Sequence, residues 1–286
     1  MMSMPMEIIT DDANLTSAGF HWREKDGVLA LVCGPLEQDG FTNAFSTRRG
    51  GASPMPRDAL NLAGFDADAA ENIYENRRRF LRLLGGEWTL ATCWQEHGRE
   101  VRVVANPQAA LSDRARCDAL ITDRAGILLG IKTADCVPIL LGDARTGVVA
   151  AIHAGWRGTL ATLALETLHR LREEYGVRAQ DVRACMGPAA RACCYEVGPE
   201  VIDAFRAQFA YAAGLFTPTR PDHARIDLHH ANREQLIEAG VAPDRIHIAP
   251  LCTICRNDLF FSYRHEKNLY GHVGRLLSVI GKTVRQ

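Results

Sequence analysis

Four short apolar runs follow one another through the middle of this chain: "ALIT" (119–122), "GILLGIK" (126–132), "VPILLG" (137–142) and "GVVAAIHA" (147–154). Several are apolar at consecutive positions instead of alternating, the pattern of strands buried on both faces. No apolar stretch reaches the roughly 18 residues that a membrane-spanning helix needs. Strands of this kind have to be covered, and the chain supplies helices to do it. Residues 158–175 place Leu160, Leu163, Leu168 and Leu171 on one stripe. Residues 67–84 repeat Ile73, Phe80, Leu81 and Leu84 at helical spacing, with Asp66 or Asp68 as the cap. Further helices are expected at 199–210 and 230–239, and further strands at 28–33, 41–47, 89–94, 101–104, 181–186, 224–228 and 245–249. The first two of these strands are joined by a turn containing Gly34, Pro35 and Gly40, and residues 46–62 read as a loop. The tail "GRLLSVIG" (274–281) fits strand or helix equally. With no internal repeat and no linker, the expectation is one mixed α/β domain, its helices covering a sheet or a pair of sheets.

Charge narrows the partners. The 33 basic and 34 acidic residues leave a formal charge of −1, so there is no polyelectrolyte signature for nucleic acid or an anionic membrane surface. A local basic pocket for a small anion remains compatible with this balance. The opening "MMSMPMEIITDDANL" has neither a basic n-region nor an apolar h-region, so no secretory signal is read there. Nine cysteines, an odd number without compact disulfide spacing, then fit reduced thiols in the cytoplasm.

Three metal-capable side chains stand at junctions between a strand-like run and a turn: His97 in "QEHG", Cys136 before "VPILLG" and His153 at the end of "GVVAAIHA". Singly, each has an ordinary explanation as a turn histidine, a space-filling thiol or a core histidine. Together they form a borderline-soft ligand set that suits Zn²⁺ or Cu²⁺, with a fourth position open as in catalytic sites. Their long separations match no local zinc-finger pattern. "CTIC" (252–255) and "CCY" (193–195) bring four more thiols, which suggest a closed all-sulfur zinc site or a redox pair. Ordinary buried or turn cysteines are the preferred reading, because the adjacent Cys193 and Cys194 do not easily point both sulfurs at one ion. For an anion, Arg48 and Arg49 in "STRRGG" and Arg157 at the start of the 158–175 helix are candidates, and "FFSYR" adds Arg264.

The succession "FSTRRGGAS…LNLAGF", "TCWQEHGREV", "CDALIT", "TADCVPILLGD", "AAIHAGWRGT", "MGPAARACCYEVGPEV", "IDLHHANREQL" and "CTICRNDLFFSYR" resembles the YfiH-type family. An older description of that family is multicopper polyphenol oxidoreductase laccase; a newer one is purine nucleoside phosphorylase and adenosine deaminase. The likeness runs from about residue 28 to 280, which leaves 1–27 as an N-terminal extension and 28–286 as the catalytic domain. It implies a single-domain layered α/β/β/α sandwich and a Zn²⁺ or Cu²⁺ site on His97, Cys136 and His153. It also implies phosphorolysis of adenosine, inosine and S-methyl-5′-thioadenosine, adenosine deamination, and a role in keeping cytoplasmic peptidoglycan precursors correct. The chain departs from the family pattern at Glu96, at Arg191 in "GPAAR" and at His265 after Ser262, Tyr263 and Arg264.

These readings assign catalytic roles to Cys136, Asp135 and Arg157. Asp135 or Glu96 is expected to shuttle the proton as water attacks purine C6, and Arg48, Arg157 and Arg264 to bind substrate or phosphate. The expected partners are a purine nucleoside and phosphate as co-substrate, with no nucleic acid and no membrane, in a monomer or weak dimer. Two rivals stand beside this. A laccase-like oxidase needs H-x-H pairs, and none occurs among the ten histidines. A thiol hydrolase would use Cys136 and His153.

Overall fold

The central runs form strands, and they divide between two stacked sheets. The computed structural model describes residues 13–55, 58–111 and 115–284. In chain order the first part holds β1 (Phe20–Lys25), β2 (Val28–Cys33), α1 (Gly34–Gln38), β3 (Thr42–Ser46), β4 (Arg49–Ser53), α2 (Ala70–Leu84), β5 (Thr89–Ala91), β6 (Val101–Val103) and α3 (Pro107–Ala110). The middle holds β7 (Ala119–Thr122), β8 (Ile127–Thr133), β9 (Val137–Asp143), β10 (Val148–Ala154), α4 (Trp156–Leu160), α5 (Leu163–Tyr175) and β11 (Val182–Met186). The last part holds β12 (Glu196–Val197), α6 (Pro199–Gln208), β13 (Phe216–Pro218), β14 (Ala224–Ile226), α7 (Leu228–Glu238), β15 (Ile246–Ile248), α8 (Tyr263–Tyr270) and β16 (Leu276–Gly281).

The first sheet runs β1-β2-β3-β16-β8-β5 and the second β15-β11-β9-β10-β7-β6; β12, β14 and β13 make a small third sheet. Leu31, Phe45, Leu129 and Ile131 of the first sheet meet Leu140, Val149, Ala151 and Cys185 of the second in the layer between them. Phe80 and Leu83 of α2 cover the outer face of the first sheet against Ala30, Ala44, Leu128 and Val279. Helices α5, α6 and α7 cover the outer face of the second through Leu168, Phe205 and Leu236. The result is the α/β/β/α order of layers, and it explains the unbroken apolar runs: β8, β9 and β10 each have a sheet on one side and helices on the other.

Local details differ from the sequence reading for physical reasons. The expected turn after β2 is the short helix α1, which Pro35 can open because its first-turn nitrogen needs no partner. Neither Asp66 nor Asp68 caps α2, whose N-cap is Ala69. Asp68 instead accepts from Ser53, Asn61 and Asn72, pinning the segment before the helix to β4. The stretch 46–62, expected as loop, contains β4. The expected helix 158–175 starts earlier and breaks at Thr162, which takes φ 57° and separates α4 from α5. The undecided tail is β16, paired with β3 on one side and β8 on the other. The boundary drawn at residue 28 falls at the start of β2, and β1 pairs with all of that strand, Phe20 opposite Cys33.

Candidate metal centre and adjoining cleft

Strand register carries the site. In the β9–β10 pair Pro138 faces His153 and Val137 faces Ala154, so Cys136, just before β9, lies beside the end of β10. In the β10–β7 pair Ile152 faces Ala119, which puts Asp118 at the same end. Strand β6 runs parallel to β7 with Val101 opposite Ala119, and it delivers the preceding loop with His97 there too. Three residues distant in sequence therefore meet at one edge of the second sheet, and one ligand atom from each of His97, Cys136 and His153 lies within 4.8 Å of the others.

Asp118 organises this edge, although nothing in the sequence singled it out. Its carboxylate accepts the N–H groups of Glu96 (3.2 Å), His97 (3.0 Å) and Gly98 (2.7 Å). Successive N–H groups converging on one anion form a nest, and they hold His97 at φ 61°. The same carboxylate meets His153 Nδ1 at 2.8 Å, which leaves Nε2 as the ligand nitrogen. Gln95 fixes the loop from the other side: its amide donates to the Lys132 carbonyl at 2.7 Å and accepts the Lys132 N–H at 2.8 Å. Gly155 leaves the space the centre needs, since a Cβ there would lie 2.8 Å from Cys136 Sγ and 3.3 Å from His97 Cδ2.

The electrostatics favour a charged pair. Burial works against the Cys136 thiolate, but His153 and hydrogen bonds from both histidines outweigh it and bring the thiol down to about 6. Burial likewise disfavours a protonated His153, and the facing Cys136 together with Asp118 raises it to about 9. Without an ion, sulfur and imidazole are thus thiolate and imidazolium at neutral pH. Asp118 is also desolvated, yet His153 and the N–H groups keep its carboxyl below the usual range. The donor set fits a three-ligand metal site: a thiolate, one imidazole with a fixed tautomer, and a second imidazole on a pinned loop.

The other residues singled out in the sequence fall in different places. Asp135 sits next to Cys136 at φ 91° with both carboxylate oxygens engaged. Thr253 Oγ1 donates to Oδ1 at 2.7 Å, and the Arg264 N–H, in the first turn of α8, donates to Oδ2 at 2.6 Å. That makes Asp135 an anchor of the Cys136 turn, in contrast to the expected proton shuttle. Glu96 is ion-paired to Arg116. Arg48 is taken up internally: it donates to the carbonyls of Asn257 (2.8 Å) and Met55 (3.1 Å), pairs with Glu266 and lies over the Phe261 ring. Those bonds leave it poorly placed to hold phosphate.

Arg264 lies over the Tyr195 ring and donates to the Glu196 carbonyl at 2.9 Å. It lines a polar cleft of about 280 Å³ with Trp156, Tyr195, Arg220 and His223. The cleft adjoins the centre: Trp156 follows Gly155, and the Tyr195 hydroxyl, pushed up to about 12 mainly by burial, also feels the Cys136 charge. Arg157 is exposed, its guanidinium stacked over Trp156 at 4.2 Å. Tyr195, Arg220 and His223 were not anticipated, because only the third sheet and its loops bring them to the cleft. The four cysteines of "CCY" and "CTIC" also converge, with one sulfur from each within 4.8 Å of the others. The adjacent pair Cys193 and Cys194 therefore does direct both sulfurs to one place, against expectation.

The chain is similar to known proteins over most of its length. "Purine nucleoside phosphorylase YlmD" of Geobacillus stearothermophilus is 33% identical over 267 residues, covering 88% of this chain and 94% of that protein. "Adenosine deaminase RL5", from an unknown prokaryotic organism, is 35% identical and covers 77% of this chain and 87% of its own length. The crystal structure of YlmD from Geobacillus stearothermophilus superposes with a TM-score of 0.85 at 32% identity, covering 93% of this chain and 99% of that one. Residues 42–283 match the family described as multi-copper polyphenol oxidoreductase laccase, and with relatives named YfiH and YlmD on this same fold, the chain belongs to that family.

Proposed function

We propose that this protein is a metal-dependent purine nucleoside enzyme. It would split adenosine, inosine and S-methyl-5′-thioadenosine with phosphate, giving free base and the corresponding ribose 1-phosphate, and also deaminate adenosine. The observation that carries this reading is the three-donor centre of His97, Cys136 and His153, with a cleft lined by Trp156, Tyr195 and Arg264 joined to it through the Arg264 N–H on Asp135. Relatives that carry phosphorylase and deaminase names at 33% and 35% identity support it.

His97, Cys136 and His153 would hold Zn²⁺ or Cu²⁺. When bound, the ion supplies a Lewis acid with an open coordination position. The rest of the work falls to side chains. Asp118 holds His153 in one tautomer and His97 in one backbone conformation. Trp156 and Tyr195 offer aromatic surface to a purine, and Tyr195 remains a hydrogen-bond donor at neutral pH. Arg264 and Arg157 are the guanidinium groups available to place phosphate. In phosphorolysis a phosphate oxygen bonds to C1′ while the bond from C1′ to the purine nitrogen breaks; the base leaves with that electron pair and takes up a proton. All nine cysteines are free thiols, which supports a reducing, cytoplasmic location.

Incubating the purified protein with adenosine, with and without phosphate, tests the reading. The expected products are adenine and ribose 1-phosphate only when phosphate is present, and inosine in both cases. Absence of all three products would overturn it. A second reading has one observation in its favour: Cys136, His153 and Asp118 stand in the order of a thiol hydrolase triad. Treatment with a chelator separates the two, since the metal enzyme loses activity and the thiol hydrolase keeps it.

A further inference from the structure

The second cysteine cluster is not used by any step above, and it is built like a metal site. We propose that Cys193, Cys194, Cys252 and Cys255 bind one structural Zn²⁺ as a closed tetrathiolate. The four sulfurs lie within 4.8 Å of one another, with Cys193 Sγ 3.5 Å and Cys194 Sγ 3.2 Å from Cys255 Sγ. Zinc–sulfur bonds of about 2.3 Å in a tetrahedron put neighbouring sulfurs about 3.8 Å apart, so little movement is needed to close the shell.

The chain around the sulfurs is built to hold them together. Ala189 pairs with Cys252, and the Thr253 N–H donates to the Ala189 carbonyl at 3.0 Å, so backbone bonding sets the "CTIC" turn against the segment that carries Cys193 and Cys194. Four sulfurs this close do not all ionise unless a cation joins them, because like charges repel. As it enters, each thiol gives up its proton to solvent and becomes a zinc ligand, and the completed Zn(S)₄ unit carries two negative charges. Cationic neighbours stand near: Arg225 donates to the Cys193 carbonyl at 3.1 Å, and Arg191, two residues before Cys193, donates to the Ala249 carbonyl at 2.7 Å.

The ion would clamp two segments that already pair through Ala189 and Cys252. One leads from Cys194 directly into Tyr195, a wall of the cleft. The other carries Thr253, whose hydroxyl holds Asp135 beside Cys136. The zinc thus stiffens the support of the cleft without entering it. Partial exposure of Cys193 and Cys255 gives the ion a route in from solvent.

The site is tested apart from the three-ligand centre by measuring zinc in three proteins purified without chelator. Wild type is expected to hold two ions per chain, and His97→Ala/His153→Ala and Cys194→Ser/Cys255→Ser one each. Replacing zinc by Co²⁺ in the histidine variant should give the intense visible bands and near-ultraviolet charge transfer of tetrahedral Co(S)₄, at one equivalent per chain. That spectrum needs no cysteine variant, so poor folding of the serine variant does not blunt the test. The proposal is overturned if the histidine variant binds no zinc or Co²⁺, or if mass spectrometry of unreduced protein finds a disulfide among these four residues. An ion lost only in the serine variant supports the tetrathiolate and overturns the three-ligand centre, and an ion lost only in the histidine variant does the reverse.

Discussion

The Asp118 carboxylate receives four groups at once: three successive N–H donors and the imidazole of His153. It is buried, so every one of those partners counts in keeping its charge in place. Replacing it with asparagine keeps the size but removes the charge, and the amide can present an N–H to the imidazole. The expected result for Asp118→Asn is a loss of zinc affinity of about 10–100-fold, measured by competition with a chelating dye, with the far-ultraviolet circular dichroism unchanged. The same residue shows where local reading stops. Its only local mark is a position directly before an apolar run, which Asp135 shares before "VPILLG". The partners of Asp118 lie elsewhere in the chain, and only strand register joins them. Cys136 and His153 were singled out together with His97 because all three stand at junctions between a strand-like run and a turn.

If Cys136 and His153 hold Zn²⁺ as proposed, the pair would also set how metal uptake depends on pH. Cys136 is lowered to about 6 and His153 raised to about 9, so between these values the pair holds one proton, and below about 6 it holds two. Both ligands must be deprotonated to bind, so zinc would displace that proton. From this pair alone, affinity should rise about tenfold per pH unit between pH 6 and 9, and more steeply below 6. Calorimetric titration of zinc in buffers of different ionisation enthalpy measures the released proton directly.

At the scale of elements, the contrast between α2 and α8 is instructive. Helix α2 was legible from the helical spacing of Ile73, Phe80, Leu81 and Leu84, although Leu83 is buried there while Leu81 and Leu84 are only partly so. Helix α8, "YRHEKNLY", has no apolar stripe, and its one buried side chain is Glu266. It forms because Ser262 caps it, accepting the His265 N–H, because Asp135 accepts the Arg264 N–H, and because Glu266 has Arg48 as a buried partner. These are tertiary causes that no periodicity carries. The Arg48–Glu266 pair is largely buried, with side-chain exposures of 13% and 5%. Removing the cation strands a buried carboxylate, which costs about 3–5 kcal/mol. Arg48→Ala is therefore expected to lower the denaturation midpoint markedly while leaving the KM for phosphate in the folded fraction unchanged; a raised KM with unchanged stability would instead assign Arg48 to the anion.

For the whole molecule, the consecutive apolar runs implied helices over a sheet or a pair of sheets and the family resemblance implied the α/β/β/α layers, whereas the partition of those runs between two sheets followed from neither. Strands β8 and β9 are neighbours in sequence yet lie in different sheets, and both are almost wholly buried. What separates them is the turn through Asp135, held by Thr253 and α8 from far along the chain. The undecided tail had the same ambiguity: six buried residues suit either element until β3 and β8 are seen to leave a gap between them. Ending the chain after Gly274 removes that filler strand and exposes the edges of β3 and β8. The expected outcome is insoluble protein, checked by the soluble fraction on expression, because unpaired edges of buried strands promote association.

The central place of β16 has a consequence for synthesis. Strand β16 follows the other strands of its sheet in chain order yet sits between β3 and β8, so the first sheet cannot close until translation has passed residue 281. A nascent chain that holds β3 and β8 but not β16 carries two open edges, and the layer between the sheets lacks Leu276 and Ile280. Premature termination at any point before that strand therefore yields a product for quality control, with no partly working enzyme among the fragments.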